Sequence, residues 1–495
     1  MFNFGKEGIM KHISIDPITR LEGHGKIEIF LNNDGEVENA YFQVPELRGF
    51  EKFCEGRPVE ELPSIVTKIC GVCPGCHHMA SGKAVDAVFG VEPPPTARKL
   101  RELFYMAHFV HSHIAHFYAL AAPDFVVGPT ASPAERNILG VINKVGLQIG
   151  SEVIKQRRLA QEIQALIGGH QTHVIMNTPG GVKKGITPEQ RDDIVKKAEG
   201  FIEFSKFSIQ LFKDVVLGNK DYVELILNGP YSLVLHSMGL VDEQNKVNFY
   251  DGKVRVVDTK GKELYKYAAE QYLDFVEERV EPWTYLKFPY LKKIGWKGFT
   301  DGQESGVYQA TPLSRLNAAD GMATPVAQQE YDFMFKTLGG KPVHATLAMH
   351  WARLVELIYS AEHCLELAMD PEITGKELRA PLGKIVGEGV GVVEAQRGTL
   401  THHYWTDDKG MVRKVNLIVG TTNNHAAICM SIKKAAQGLI KKGNEITEGT
   451  LNMIEMAFRA YDPCFSCATH SLPGQMRIIL NIRDNEGKII DSISR

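Results

Sequence analysis

The 495-residue chain lacks an excess of either charge: 56 basic and 59 acidic side chains leave a net charge of -3. A surface balanced in this way sets up no long-range field for nucleic acid or an anionic membrane. It also lacks an apolar run of about 18 residues or more, and a charged-then-apolar leader at its start. Those absences argue against a direct membrane span and a secretory signal, and for a cytoplasmic protein or one riding on a partner. Cysteine is scarce. Eight thiols, at positions 54, 70, 73, 76, 364, 429, 464 and 467, are too few and too unevenly placed for a disulfide framework. Internal repeats, low-complexity tracts and flexible linkers are missing as well, which excludes a solenoid or a tethered array.

What remains is an ordinary globular composition with a clear order of elements. Residues 12–45 alternate apolar and polar side chains and break at Asn32-Asn33-Asp34-Gly35, as a small sheet or hairpin does. A helix is expected after Pro93-Pro94-Pro95, running to about Leu120 with His108, His111, His113 and His116 along it. Ser132-Pro133-Ala134-Glu135 reads as a capping box opening a long helix that stops at Gly168-Gly169, and Thr187-Pro188-Glu189-Gln190 repeats the device. Aromatics, turns and β-like runs fill 228–310, helical pattern returns over 344–369, and two last helices cover about 423–440 and 448–461. The fold class is therefore mainly α with minor β (α+β): a central long-helix bundle, an N-terminal small sheet, and termini converging on a buried metal site. The regions expected are 1–95 (sheet and first cysteine motif), 96–227 (helix bundle) and 228–343 (irregular β-containing insertion). After them come 344–470 (C-terminal helices and second cysteine motif) and 471–495 (C-terminal extension).

Two Cys-x-x-Cys pairs dominate the chemistry: Cys70-Gly-Val-Cys73 with His77 behind it, and Cys464-Phe-Ser-Cys467 with His470 behind it. Two thiolates one turn apart clasp a metal from one side, and two such pairs make a four-sulfur site. Structural zinc sites place their pairs roughly 15–20 residues apart. Here Cys73 and Cys464 stand 391 positions apart (464 minus 73), so the fold itself must bring the ends together. Spacing alone leaves a redox metal centre, zinc, and unrelated pairs open. The other cysteines read most simply as buried small hydrophobes, and Gly387–Gly391 lacks the setting of a phosphate loop.

The neighbouring segments add specificity. They are Arg20-Leu-Glu22-Gly-His24-Gly, Arg48-Gly-Phe-Glu51, Glu394-Ala-Gln-Arg397-Gly, Val419-Gly-Thr421-Thr-Asn-Asn424 and Asp462-Pro-Cys464-Phe-Ser-Cys467-Ala-Thr-His470. From residue 12 to residue 470 this ordered set resembles the large, catalytic subunit of nickel–iron hydrogenases. The Gly398-Thr-Leu-Thr-His-His-Tyr404 segment is most similar to the cytoplasmic, cofactor-coupled group.

The resemblance implies a Ni–Fe centre on Cys70, Cys73, Cys464 and Cys467, with Cys73 and Cys467 bridging to an iron that carries carbon monoxide and cyanide. Arg397 and Thr421 match the positions that donate to the cyanides. His77 reads, apart from the resemblance, as a donor to a cysteine sulfur rather than a ligand. Hydrogen cleavage in this family is heterolytic. Cys467 or Arg397 would take the proton, Glu22 would relay it, and Asp124 and Asp462 would hold Arg397. Magnesium or iron at a second site would be bound by Glu51, the carbonyl of Leu417 and His470. An iron–sulfur small subunit is implied, with further electron-acceptor subunits: a nicotinamide, deazaflavin, ferredoxin or heterodisulfide reductase system. The alternatives are a hydrogenase-like, non-catalytic subunit of a quinone-reducing complex, whose relatives lack the four cysteines, and a structural zinc protein.

Three departures from the family pattern stand out. Lys68 replaces arginine two residues before the first cysteine, Gln396 replaces proline before Arg397, and Cys76 adds a thiol beside the site. Removal of 471–495 at the His470–Ser471 bond is a further expectation of the resemblance.

Overall fold

The computed structural model describes residues 11–44, 46, 48–469, 479–483 and 489–494. His470 and the His470–Ser471 bond lie outside them. Near the C-terminus, strands Ile479–Arg483 and Ile489–Ser494 pair antiparallel.

Four long helices form the centre: Pro95–Ala115, Leu147–Gly168, Pro188–Phe212 and Met349–Met369. Met349–Met369 packs against both Pro95–Ala115 and Pro188–Phe212, and Leu147–Gly168 packs on Pro95–Ala115. Nearly every residue of Met349–Met369 is buried, so it is the bundle's inner rod. The capping box expected at Thr187 is present: the Gln190 N–H donates to Thr187 Oγ1 at 3.3 Å, and the Thr187 N–H to Gln190 Oε1 at 2.9 Å.

Ser132 does not open the preceding helix. Its hydroxyl accepts from the Ala134 N–H at 3.3 Å in a turn, and Asn137 is the cap instead, accepting from Leu139 and Gly140. The short helix Ile138–Val145 that follows ends at Gly146, whose φ of +97° turns the chain before Leu147.

Lys11–Ile15, Lys26–Leu31 and Val37–Gln43 make the antiparallel N-terminal sheet. Val37–Gln43 packs on helix His425–Leu439, so the two halves of the chain meet there. Over 236–309 a mixed sheet runs in the order Tyr308–Gln309, His236–Val241, Lys253–Val257, Glu263–Tyr267, its first pair parallel.

A third sheet, Glu388–Ala395, Gly398–Thr406 and Val412–Ile418, lies on helix Pro74–Val88, which carries the first cysteine motif. The glycines at 389 and 391 make this contact possible. A Cβ on Gly391 would sit 2.0 Å from the Ala80 carbonyl oxygen, and one on Gly389 2.2 Å from that of Ala84. Gly391→Ala is therefore expected to cost at least about 2 kcal/mol by overpacking. A melting curve superimposable on that of the parent protein would disprove this close approach.

Candidate metal centre

Both cysteine pairs stand where an extended segment turns into a helix. Cys70 is extended (φ -145°, ψ 142°), Cys73 caps Pro74–Val88, and Pro74 at the first helical position presets the turn. Amide groups close the loop, since the N–H groups of Val72 and Cys73 point at Cys70 Sγ from 3.1 and 3.4 Å. In the second motif Cys464 caps the short helix Phe465–Ala468. It is reached from helix Glu448–Arg459 through Asp462, which is left-handed at φ +53°. A buried aspartate in that conformation costs on the order of 1–3 kcal/mol, and the Arg397 Nε–H donated to its carbonyl at 2.7 Å helps to hold it.

The ends do converge. Cys70 Sγ lies 3.3 Å from Cys464 Sγ, Cys73 Sγ 3.1 Å from Cys467 Sγ, and Cys464 Sγ 2.8 Å from Cys467 Sγ. All four sulfurs fall within 4.8 Å of one another and all four residues are buried. Sulfurs about 2.3 Å from a single ion in a tetrahedron lie ~3.8 Å apart, so the cluster has the size of a soft-metal cage. Without a cation it does not hold four negative charges. Burial, then contact with the other sulfurs, pushes the Cys464 and Cys467 thiols well up, while S–H donation from Cys464, Cys467 and Cys73 holds Cys70 low. A bound metal keeps all four as thiolates.

Glu22 stands at the mouth of the cluster, its Oε2 3.0 Å from Cys464 Sγ and accepting the Ser466 N–H at 3.1 Å. Its backbone is fixed by a parallel bridge to Cys464 and by the Phe465 N–H donated to the Glu22 carbonyl at 3.0 Å. Gly23 must be glycine here, because its φ is +88° and a Cβ would meet Phe465 Cβ and Ser466 N at 3.0 Å. Outward of Glu22, the Ser466 hydroxyl lies 3.4 Å from Glu46 Oε2, and Glu46 pairs with the exposed His24.

Arg397 covers another side. Its Nη2 pairs with Asp462 Oδ2 at 3.0 Å, while the buried Nη1 has no partner among the described residues. Burial opposes the guanidinium charge, but Asp462 and the sulfurs of Cys73, Cys464 and Cys70 more than restore it. Burial likewise opposes ionisation of Asp462, and Arg397 and His116 outweigh it, holding the carboxyl well below the usual range. Thr421 is buried; its Oγ1 accepts the Cys464 N–H at 3.1 Å, leaving the hydroxyl proton to donate.

Asp124 is a correction. Rather than holding Arg397, it pairs with Arg20 and with Arg459 at 3.3 Å, and accepts from Asn452 Nδ2 at 3.0 Å. The helix that begins at Pro95 continues in π geometry over His116–Ala121 and Pro123–Val127, and this widened turn directs Asp124 toward the N-terminal loop. Of the histidines expected along that helix, His116 is the one that reaches the site, a pairing the sequence did not specify: its Nδ1 faces Asp462 Oδ1 at 3.2 Å and its Nε2 lies 3.2 Å from His350 Nδ1. The other histidines of that helix are engaged elsewhere: His108 with Gln164, His111 with Arg157, His113 with Glu356. His77 Nδ1 sits 3.1 Å from His402 Nε2, in a chain that continues to Tyr404 and Ser81. Glu51 Oε1 accepts the Leu417 N–H at 2.8 Å.

A family model described as nickel-dependent hydrogenase matches residues 48–138 and 151–470. The chain belongs to that family. A model described as HoxL-like matches residues 12–47. An F420-non-reducing hydrogenase iron-sulfur subunit of Archaeoglobus profundus is 49% identical over 484 residues, covering 98% of this chain and 99% of its own. The NAD-reducing hydrogenase HoxS subunit beta of Cupriavidus necator is 36% identical over 499 residues, covering 98% and 100%. Among solved structures, an NAD+-reducing [NiFe]-hydrogenase in its H2-reduced state superposes with a TM-score of 0.88 at 36% identity, covering 94% of this chain and all of that one. This hydrogenase is thus a catalytic large subunit, and its four-sulfur cluster fits a Ni–Fe centre. The zinc reading and the non-catalytic reading both fall away.

Proposed function

We propose that the chain interconverts hydrogen with protons and electrons through the following division of roles. The observation that carries it is the buried four-sulfur cage with a carboxylate at 3.0 Å on one side and, on another, a guanidinium nitrogen with no partner among the described residues. Cys70 and Cys464 would bind nickel alone, and Cys73 and Cys467, 3.1 Å apart, would also reach iron. When bound, the metal pair supplies the Lewis acidity and redox capacity for heterolytic cleavage, which no side chain here offers.

The side chains manage protons, charge and access. Cys467 takes the proton, with the Arg397 guanidinium as the competing site. From the sulfur pair Cys464 and Cys467, 2.8 Å apart, the proton passes to Glu22 Oε2 and on toward Glu46 and His24 at the surface. Arg397 Nη1 and the Thr421 hydroxyl would donate to cyanide on iron, which would satisfy polar groups otherwise stranded in a dry pocket. Glu51, the Leu417 carbonyl and His470 would hold a second ion, magnesium or iron.

Electrons leave through a partner. The remaining cysteines, Cys54, Cys76, Cys364 and Cys429, are buried, and the described residues hold no second metal-sized cluster of ligands. An iron–sulfur small subunit is the inferred carrier, which agrees with relatives that are named as subunits of larger hydrogenases. Several are named F420-non-reducing, so a nicotinamide, ferredoxin or heterodisulfide reductase system is the acceptor we favour over a deazaflavin. No helix among the described residues is long and apolar enough to cross a membrane; it is the likeness to cofactor-coupled hydrogenases that leads us to place the complex in the cytoplasm. Infrared spectroscopy of the complex purified with its partners tests the reading. One carbonyl band with two cyanide bands is expected; a silent spectrum from folded, metal-loaded protein would overturn it.

A further inference from the structure

Gln396 stands where the family resemblance has proline, and its side chain is fully buried, next in sequence to Arg397. Its Oε1 lies 2.9 Å from the sulfur of Cys76, three residues after Cys73 on the same helix turn. In this contact the Cys76 S–H donates and the amide oxygen accepts. That fixes which end of the amide points where. The Nε2 group is left buried with no hydrogen-bond partner among the described residues. The next residue, Arg397, repeats the pattern with its Nη1. Two successive residues on one tight turn, Ala395 to Gly398, therefore present buried donors with no acceptor from the described residues.

A stranded buried amide costs on the order of 1–3 kcal/mol, and native interiors rarely leave one unmatched. The turn is not free to swing its donors elsewhere. The Arg315 guanidinium donates to the Ala395 carbonyl at 2.6 Å and to Glu394 Oε2 at 2.9 Å, and the Asn424 amide donates to the Arg397 carbonyl at 2.9 Å. A rigid turn with two adjacent orphan donors beside a soft-metal cage calls for small, non-protein acceptors within the cage. We propose that the Gln396 side-chain amide is a further hydrogen-bond donor to the diatomic ligands of the metal pair, beside Arg397 and Thr421. This rests on the proposed Ni–Fe reading and adds a binding residue to it. Proline at this position has no such group, so the iron's ligands in this chain would feel a donor that a proline-bearing site lacks.

The test is infrared spectroscopy on the holoenzyme complex carrying Gln396→Leu, which keeps the volume and removes the donor, with nickel and iron content measured in parallel. The expected result is full metal content and a displacement of at least one cyanide or carbonyl band relative to the parent complex. Superimposable bands would overturn the proposal while leaving the Ni–Fe reading intact; a parent complex with no such bands would instead sink the reading beneath it. Cys76→Ala is the second variant, because it leaves Gln396 in place and frees its oxygen. If Gln396→Leu fails to take up metal, displacement or broadening of the same band in Cys76→Ala supports the donor role, and an unchanged band rejects it.

Discussion

Glu22→Gln should lower hydrogen turnover by about 10²–10⁴-fold, the range expected when a positioned proton carrier is removed, with nickel and iron content unchanged. The variant is informative because glutamine keeps what is structural about this residue. Its side-chain oxygen can still accept the Ser466 N–H that Glu22 Oε2 accepts at 3.1 Å, and the backbone contacts to Cys464 and Phe465 do not involve the carboxylate. What it loses is the ability to take a proton from the sulfur 3.0 Å away and release it outward. Steady-state hydrogen oxidation by the complex, set against its metal content, reads this directly. Turnover at the parent rate would remove Glu22 from the proton route and move attention to Arg397 and Asp462.

The site was legible in the sequence to an unusual degree, and the reason is chemical. Thiolate pairs one turn apart, each followed by a helix, leave few arrangements open once they stand so far apart in the chain, because only a closed fold brings Cys73 and Cys464 within 4.0 Å. Where the chain also has strong local signals, such as the Thr187 box or the Asn32–Gly35 turn, the expected elements are there. At Ser132 the local signal misled, since Asn137 offers a better cap and Gly140 permits the close approach of the Glu135 carbonyl that a Cβ would block at 1.7 Å.

Asp124 and His116 show the limit of such reading. Both lie in π-helical turns, where one extra residue per turn rotates each side chain away from the face that ordinary helical periodicity assigns to it. His116 thereby arrives behind Asp462, and Asp124 reaches across to Arg20 and Arg459. Pairings between positions 116 and 462, or 20 and 124, are properties of the closed fold. No spacing within either segment announces them. Gln396 is intermediate: the sequence marks it as a departure, but only the fold reveals that its amide nitrogen is buried with no partner among the described residues.

Arg397→Lys should cost about 10²–10³-fold in turnover, the scale seen when a buried donor aimed at developing charge is lost, while the four cysteines retain their metal. The guanidinium does three things at once. Its Nε donates to the Asp462 carbonyl at 2.7 Å, its Nη2 pairs with Asp462 Oδ2 at 3.0 Å, and Nη1 is left over for the cage. Lysine has a single nitrogen on a flexible stem and cannot reproduce a planar fork. If the ammonium stays with Asp462, the cage loses its donor; if it reaches the cage, Asp462 loses its main partner in a dry, left-handed turn next to Cys464. Either outcome lowers turnover, and infrared spectra separate them: on the proposed reading only the first would displace a cyanide band without disturbing the Cys464 segment. A lysine variant that turns over like its parent would show that charge alone suffices, and that the fork between Asp462 and the sulfurs is incidental to the chemistry.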